Sequence, residues 1–301
     1  MLKFKSFLKK LPKIPSYLIG LLSIKLHDFL WSTKNNATGA FDLNKFEIFL
    51  KDIGVKDGST LFVHSSWAEL KTSKFSCSEL INFLVRYLGN KGTLAMPAYP
   101  MDQTGDKIFN VKKTPSAAGL LTEVFRRYPK VKRSINLNHS VCALGLNADY
   151  LVGEHNLSET AWDTYSPYSK LGKIEDTWIL GLGVGHRLKI ATPLHCVDSV
   201  LWKEVPYFNK LFKQKICYKY IDENQNKGSH CYWSRKGQIY TPKLAKYFSK
   251  DELIELEIEG VQIYAIKAAT LINKATSLAL SGKTMYIWPL PFPWLFTKKK
   301  L

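Results

Sequence analysis

Four short apolar runs, Thr60–Val63, Gly92–Met96, Val141–Leu144 and Trp178–Gly181, punctuate the first two thirds of the 301-residue chain, with helix-patterned segments in the connections between them. This alternation constrains the fold more than any other feature. Short apolar runs bounded by glycine, proline or polar residues suit buried strands. Leu43, Phe46, Phe49 and Leu50 share one face of a helix that Asp42 caps and Gly54 stops. Leu80, Ile81, Leu84 and Leu88 mark a second helix from Ser78, with Gly89 past its end. A third, near Ser116, carries Leu120, Leu121, Val124 and Phe125. Alternation through residue 205 predicts an α/β fold, a layered central sheet with flanking helices. Ile216–Tyr220 and Leu253–Ile258 then alternate as half-exposed strands, Asp222–Ser229 connects elements, and Ala265–Leu280 reads as a last helix. The later third is therefore expected to be an α+β elaboration on the same sheet.

Charge narrows the partners. Lys and Arg number 43 against 25 Asp and Glu, a formal +18. Such an excess suits nucleic acid, a membrane surface or a phosphorylated small molecule, though a lysine-rich bulk composition explains it equally. No RNA-binding, zinc-finger or helix-turn-helix pattern is present, so nucleic acid is not expected. Residues 1–40 form a basic amphipathic extension in which Leu2, Phe4, Phe7, Leu8 and Leu11 alternate with lysines. That pattern suits an anionic membrane interface or a helix capping the domain. The apolar run Tyr17–Leu22 is far short of the ~20 residues a spanning helix needs, and no cleavage site of a signal peptide follows. Residues 41–287 form the main domain. A tail, 288–301, carries Trp288, Phe292, Trp294, Phe296 and Lys298–Lys300. The five cysteines are widely spaced, with no disulfide framework and no metal pattern. They are expected as free thiols in a reducing cytoplasm, with peripheral contact at the inner membrane face left open.

The segment Ala191–Asp198 carries the chemistry. Thr192 followed by Pro193 reads as an N-cap with proline at the first helical position. His195 then falls in the first turn, where the helix dipole disfavours an imidazolium and helps keep the ring neutral, as a general base must be. Asp198, three residues on, shares its face and can orient the ring. On spacing alone, a solvated or capping histidine is the commoner outcome. Cys142 near His139 leaves a Cys–His acyl-enzyme open, and Gly181–Gly185 lacks the spacing of a dinucleotide fingerprint.

The run Ile53–Ser66 resembles the opening motif of the aminoglycoside 3-N-acetyltransferase family, and further segments match in the same order. They are Gly92–Pro97, Thr114 and Pro115 with Gly119–Arg126, Pro129–Ser134, His139–Gly145, His155, Ser166 and Pro167 with Lys170 and Leu171, Ile179–Val184, and Thr192–His195 with an acid at Asp198. The resemblance spans roughly residues 45–200, with a weaker echo toward 285. It implies that family's fold, outside the GNAT class, for residues 41–287. It also implies direct transfer from acetyl-CoA, without a metal or a covalent enzyme intermediate, to the amine of a sugar-like acceptor. His195 falls on the catalytic histidine and Thr192 on a hydroxyl position that contacts the thioester. Asp198 stands where a glutamate is usual. CoA would be held near Ser65 and Ser66, with help from Ser166 and Lys170; the plain alternative for the two serines is capping of the next element. After Arg133 and Ser134 the family pattern runs x-His-Pro, whereas here it is Ile135, Asn136, Leu137. With few acids between 40 and 200, the chain is expected to favour a phosphate-bearing amino sugar of surface-polysaccharide synthesis. An aminoglycoside acceptor (antibiotic resistance) is the first alternative, and a non-catalytic membrane-surface protein the second.

Overall fold

In the computed structural model of the protein, residues 40–70 and 74–296 are described. Residues 1–39 of the N-terminal extension, which suit a membrane interface or a capping helix, and Lys298–Lys300 lie outside them. The first half of the chain runs α1 (Leu43–Asp52), β1 (Thr60–Ser65), α2 (Trp67–Leu70), α3 (Cys77–Leu88), β2 (Thr93–Pro97), β3 (Phe109–Asn110), α4 (Leu120–Arg126), β4 (Lys132–Arg133) and β5 (Val141–Gly145). It continues with α5 (Ala148–Val152), α6 (Pro167–Leu171), β6 (Thr177–Leu182), α7 (Cys196–Leu201) and α8 (Pro206–Asn209). The later part adds β7 (Phe212–Ile221), β8 (Lys227–Arg235), β9 (Gln238–Ile239), α9 (Pro242–Ala245), β10 (Ile254–Ile258), β11 (Val261–Lys267), α10 (Ala268–Leu280) and β12 (Tyr286–Trp288).

All four apolar runs become strands of one seven-stranded sheet, ordered β10-β11-β6-β1-β2-β5-β4. Its centre, β6-β1-β2, is parallel; β5 and β11 flank it antiparallel. Parallel strands are covered on both faces, which is why these runs are continuously apolar. Side chains still alternate between two cores. Leu61 and Val63 pack with Phe46, Leu84 and Phe125 from α1, α3 and α4. Phe62 and Ile179 pack with Leu201, Phe208 and Leu271 from α7, α8 and α10. Local signals set the helix ends as expected. Asp42 accepts from the Asn44 and Lys45 amides, Ser76 and Glu79 form a reciprocal capping box, and Gly89 turns the chain at φ 65°.

The later third departs from expectation in one respect. β10 and β11 do extend the main sheet, but the long β7–β8 hairpin joins β3 in a separate three-stranded sheet, and β12 pairs with β9. Ala265–Lys267 belongs to β11, so the last helix starts at Ala268. The described part of the tail, 288–296, contacts the domain through Trp288 in β12 and the Phe296 ring stacked on Tyr207 at 4.7 Å. No helix among the described residues is long and apolar enough to cross a membrane.

The cysteine expectation is corrected. Cys217 and Cys231 face each other across β7 and β8 and are disulfide-bonded; Cys77, Cys142 and Cys196 are free and buried. Adjacency in the hairpin register, invisible in spacing, makes the pair, so the cysteines no longer argue for a reducing compartment. Alkylation of the unfolded, unreduced protein should therefore label three thiols, rising to five after reduction; five labels without reductant would refute the bond.

Candidate functional site

His195 lies where the turn after β6 feeds α7. Thr192–His195 is a 3₁₀ turn closed by the Leu194 amide on Ala191 O at 3.0 Å, and the α-helix proper begins at Cys196. Thr192 is thus not an α-helical N-cap: Ala191 precedes the turn, and no side chain caps it. The Thr192 amide instead donates to His64 Nε2 at 3.3 Å. His64 ends its ring in β1 beside Phe62, so the strand fixes the start of the turn. What survives from the expectation is the His195–Asp198 pairing, with Nδ1 3.2 Å from Asp198 Oδ2.

That pair sits in a dry, aromatic setting. The His195 ring is 4.7 Å from Trp162 and 6.4 Å from His139, centroid to centroid, and the residue is 6% exposed. Burial, and then the nearby Arg235 cation, hold its pKa well below the usual histidine value. Burial pushes the Asp198 carboxyl up to about 7, while Arg235 and a hydrogen bond from Tyr286 pull it down. Tyr286 OH donates to Asp198 Oδ2 at 2.6 Å and accepts from Arg235 Nη1 at 3.2 Å. An ionised carboxylate only accepts, so with Asp198 ionised the imidazole carries its proton on Nδ1 and presents Nε2 as a base. Sequence reasoning missed Trp162, Arg235 and Tyr286. Tyr286 is 88 residues from Asp198, and no local pattern links them.

Alongside lies an open cleft of about 1100 Å³ at the ends of β1 and β6. Ser65, Ser66, Gly183, Arg187 and Lys189 are in its wall, with the carboxylates Glu69 and Glu255. Gly183, at φ 72°, is required there because a Cβ would lie 2.9 Å from Glu69 Cβ. Gly181 has another reason: a Cβ would strike the Tyr264 ring. His195 is not in the cleft wall. The link is Thr192, half-buried and bonded to His64, whose neighbour Ser65 lines the cleft.

Other expectations resolve as follows. Ser166 and Lys170 are not at the cleft. Ser166 is buried, capping α6 through the Ser169 amide, and Lys170 Nζ donates to Tyr150 O and pairs with Glu154 Oε2, each at 2.8 Å. Their matching spacing reflects a structural helix start. His155 is likewise internal. Its Nε2–H donates to Ala161 O at 3.0 Å and its Nδ1 meets the Ser134 hydroxyl at 2.8 Å. Asn136, at the departure from the family pattern, accepts the Asn138 and His139 amides and so shapes the turn that presents His139. Burial drives the Cys142 thiol up to about 12 and the Cys196 thiol well above the usual thiol value, which removes a thiolate nucleophile. Among the described residues no group of three or more His, Cys, Asp or Glu could hold a metal ion.

Comparison with known proteins bears on this geometry. The sequence profile of the aminoglycoside 3-N-acetyltransferase family matches residues 62–279. The SPbeta prophage-derived aminoglycoside N(3')-acetyltransferase-like protein YokD of Bacillus subtilis is 29% identical over 156 residues, 44% of this chain and 57% of that protein. Aminoglycoside N(3)-acetyltransferase IV of Salmonella sp is 31% identical over 162 residues, 52% of this chain and 58% of that protein. The matched stretch thus spans a little over half the length of these curated relatives. In fold, AAC-VIa bound to sisomicin superposes with a TM-score of 0.64 at 18% identity, covering 80% of this chain and 97% of that one. AAC-IIIb, solved as a binary complex with CoASH, gives 0.65 at 17% identity, covering 78% and 95%.

The buried histidines set the acid stability. His64 and His155 are held down to about 3, and His139 and His195 are also well below 6.5, all chiefly by burial. A depressed histidine contributes stability that is present above its unfolded value and lost as pH falls from there toward the folded value. The raised Asp198 acts oppositely, its contribution being present below the unfolded carboxyl value and lost as pH rises toward about 7. Four histidines outweigh one carboxylate. The urea midpoint should drop steeply between pH 7 and pH 5, and a flat profile over that window would contradict burial of neutral imidazoles.

Proposed function

Because the chain belongs to the aminoglycoside 3-N-acetyltransferase family, we propose that it transfers the acetyl group of acetyl-CoA to an amine of an aminoglycoside-type amino sugar, with His195 as general base. The observation that carries this is the His195–Asp198 pair, a neutral imidazole oriented by a carboxylate through Nδ1 at 3.2 Å. His195 Nε2 takes a proton from the acceptor amine as its nitrogen attacks the thioester carbonyl, and Asp198 steadies the resulting imidazolium. Collapse of the tetrahedral adduct breaks the C–S bond; the sulfur leaves and is protonated, giving an amide and free CoA. Thr192, whose amide is bonded to His64 next to the cleft residue Ser65, is the hydroxyl assigned to the thioester by the family resemblance.

Donor and acceptor place different demands on the cleft. Ser65, Ser66, Arg187 and Lys189 offer hydroxyls and cations suited to the phosphates of CoA. That is a local use for part of the +18 excess. Glu69 and Glu255 supply the negative charge that a polyammonium acceptor needs. They weaken the expectation, drawn from few acids before residue 200, that the acceptor carries phosphate: Glu255 lies beyond that range. The names of the relatives also favour an aminoglycoside over a surface-polysaccharide sugar.

The test follows free thiol from acetyl-CoA with sisomicin, gentamicin and a set of nucleotide-linked amino sugars. Release with an aminoglycoside, and a fall in kcat of about 100-fold or more in His195→Ala, is expected. Turnover confined to nucleotide-linked sugars would restore the polysaccharide reading. Undiminished turnover by His195→Ala would remove the base.

A further inference from the structure

Asp198 has more partners than a simple orienting carboxylate. Its Oδ2 receives His195 Nδ1 at 3.2 Å and Tyr286 OH at 2.6 Å, and Tyr286 is itself held by Arg235 Nη1 at 3.2 Å. The four groups come from distant parts of the chain: the turn before α7 and α7 itself, the end of β8, and β12. Tyr286 is fully buried, and the Arg235 guanidinium lies 5.5 Å from its ring and 5.7 Å from the Trp162 ring that packs on His195. Tyr286 also falls past the last residue of the family match, 279. Gly237, between β8 and β9, keeps this approach possible: a Cβ there would lie 2.8 Å from the Tyr286 ring.

We infer that Tyr286 and Arg235 are positioning residues for acetyl transfer, holding the Asp198 carboxylate against His195 Nδ1 so that Nε2 stays free to take the amine proton. This rests on the transfer reading above and adds two residues to it. A carboxylate removed from water has little to keep it charged. A charge-assisted bond from a tyrosine, which a half-buried guanidinium anchors in turn, supplies that. The groups facing Asp198 are His195 and Cys196 from its own segment, Tyr207 on α8, Arg235, Tyr286, and Lys283 after α10. Of these, Arg235 and Tyr286 favour the charged carboxylate, and burial opposes it.

The isosteric variant Tyr286→Phe removes only the hydroxyl. Its loss raises the Asp198 proton affinity, so the acidic limb of the kcat profile should move up by about one pH unit. At pH 7 kcat should fall by about 5-fold with KM for acetyl-CoA unchanged, and the deficit should shrink at higher pH. Arg235→Gln removes the anchor of the same tyrosine together with a charge that acts on Asp198 directly, so the double variant should lose less than the product of the two single losses. Unchanged kcat, a deficit equal at every pH, or additive losses would each overturn the inference. A readout independent of turnover separates it from the transfer reading. The Nδ1–H proton resonance of His195, assigned by its loss in His195→Gln, should lie far downfield in the wild type and shift in Tyr286→Phe. If the wild type transfers no acetyl group but the resonance behaves so, the reaction is misread and the positioning stands. If the resonance is insensitive to Tyr286, the positioning falls.

Discussion

One hydrogen bond organises the chemistry proposed for this protein: the buried contact between His195 Nδ1 and Asp198 Oδ2. In water a histidine and an aspartate at this spacing would form a weak, screened pair. Here both are nearly sealed, so the ring is held neutral and the carboxyl is drawn up to about 7. The two shifts pull in opposite directions: a neutral imidazole can accept a proton, but only the ionised form of Asp198 can stabilise the cation that results. The surrounding structure maintains that balance: Trp162 and His139 exclude water from one side, and Tyr286 and Arg235 counter the desolvation of Asp198 from the other.

The central sheet provides rigid support. β6-β1-β2 is parallel and covered on both faces. Functional loops therefore leave the same strand ends, and His64, Ser65 and the turn at Thr192 converge there. Ligand clefts at the strand ends of such sheets are a general consequence of α/β topology. The β7–β8 hairpin lies outside this sheet, yet it delivers Arg235 to the site. What reads as decoration in the sequence is thus part of the proposed site.

Much of this was legible in advance, and the reasons are specific. Thr60–Val63 and Trp178–Gly181 announce buried strands because both their faces are covered, and Asp42 and Gly89 mark helix ends through local backbone needs. The i, i+3 spacing of His195 and Asp198 carries their contact directly. Long-range facts were not legible. Cys217 pairs with Cys231 only because hairpin register sets them opposite. Tyr286 reaches Asp198 across 88 residues, and Glu255 reaches the cleft from an edge strand. Ser166 and Lys170 show the converse, since a motif match can mark a buried helix start as readily as a ligand contact. The Thr192–Pro193 signal marks the start of a helical turn, but that turn is 3₁₀ and the Thr192 amide is bonded to His64.

The His195 ring is close to the cleft but not in its wall, so delivery of the thioester to that ring is the step on which the account turns. A crystal structure with CoA measures it directly. The account predicts the phosphates at the Arg187 and Lys189 side and the sulfur beyond Thr192, close enough to His195 Nε2 for an amine nitrogen to bridge the two. A CoA whose sulfur ends on the far side of the cleft from Thr192, with the imidazole edge still covered, would contradict it.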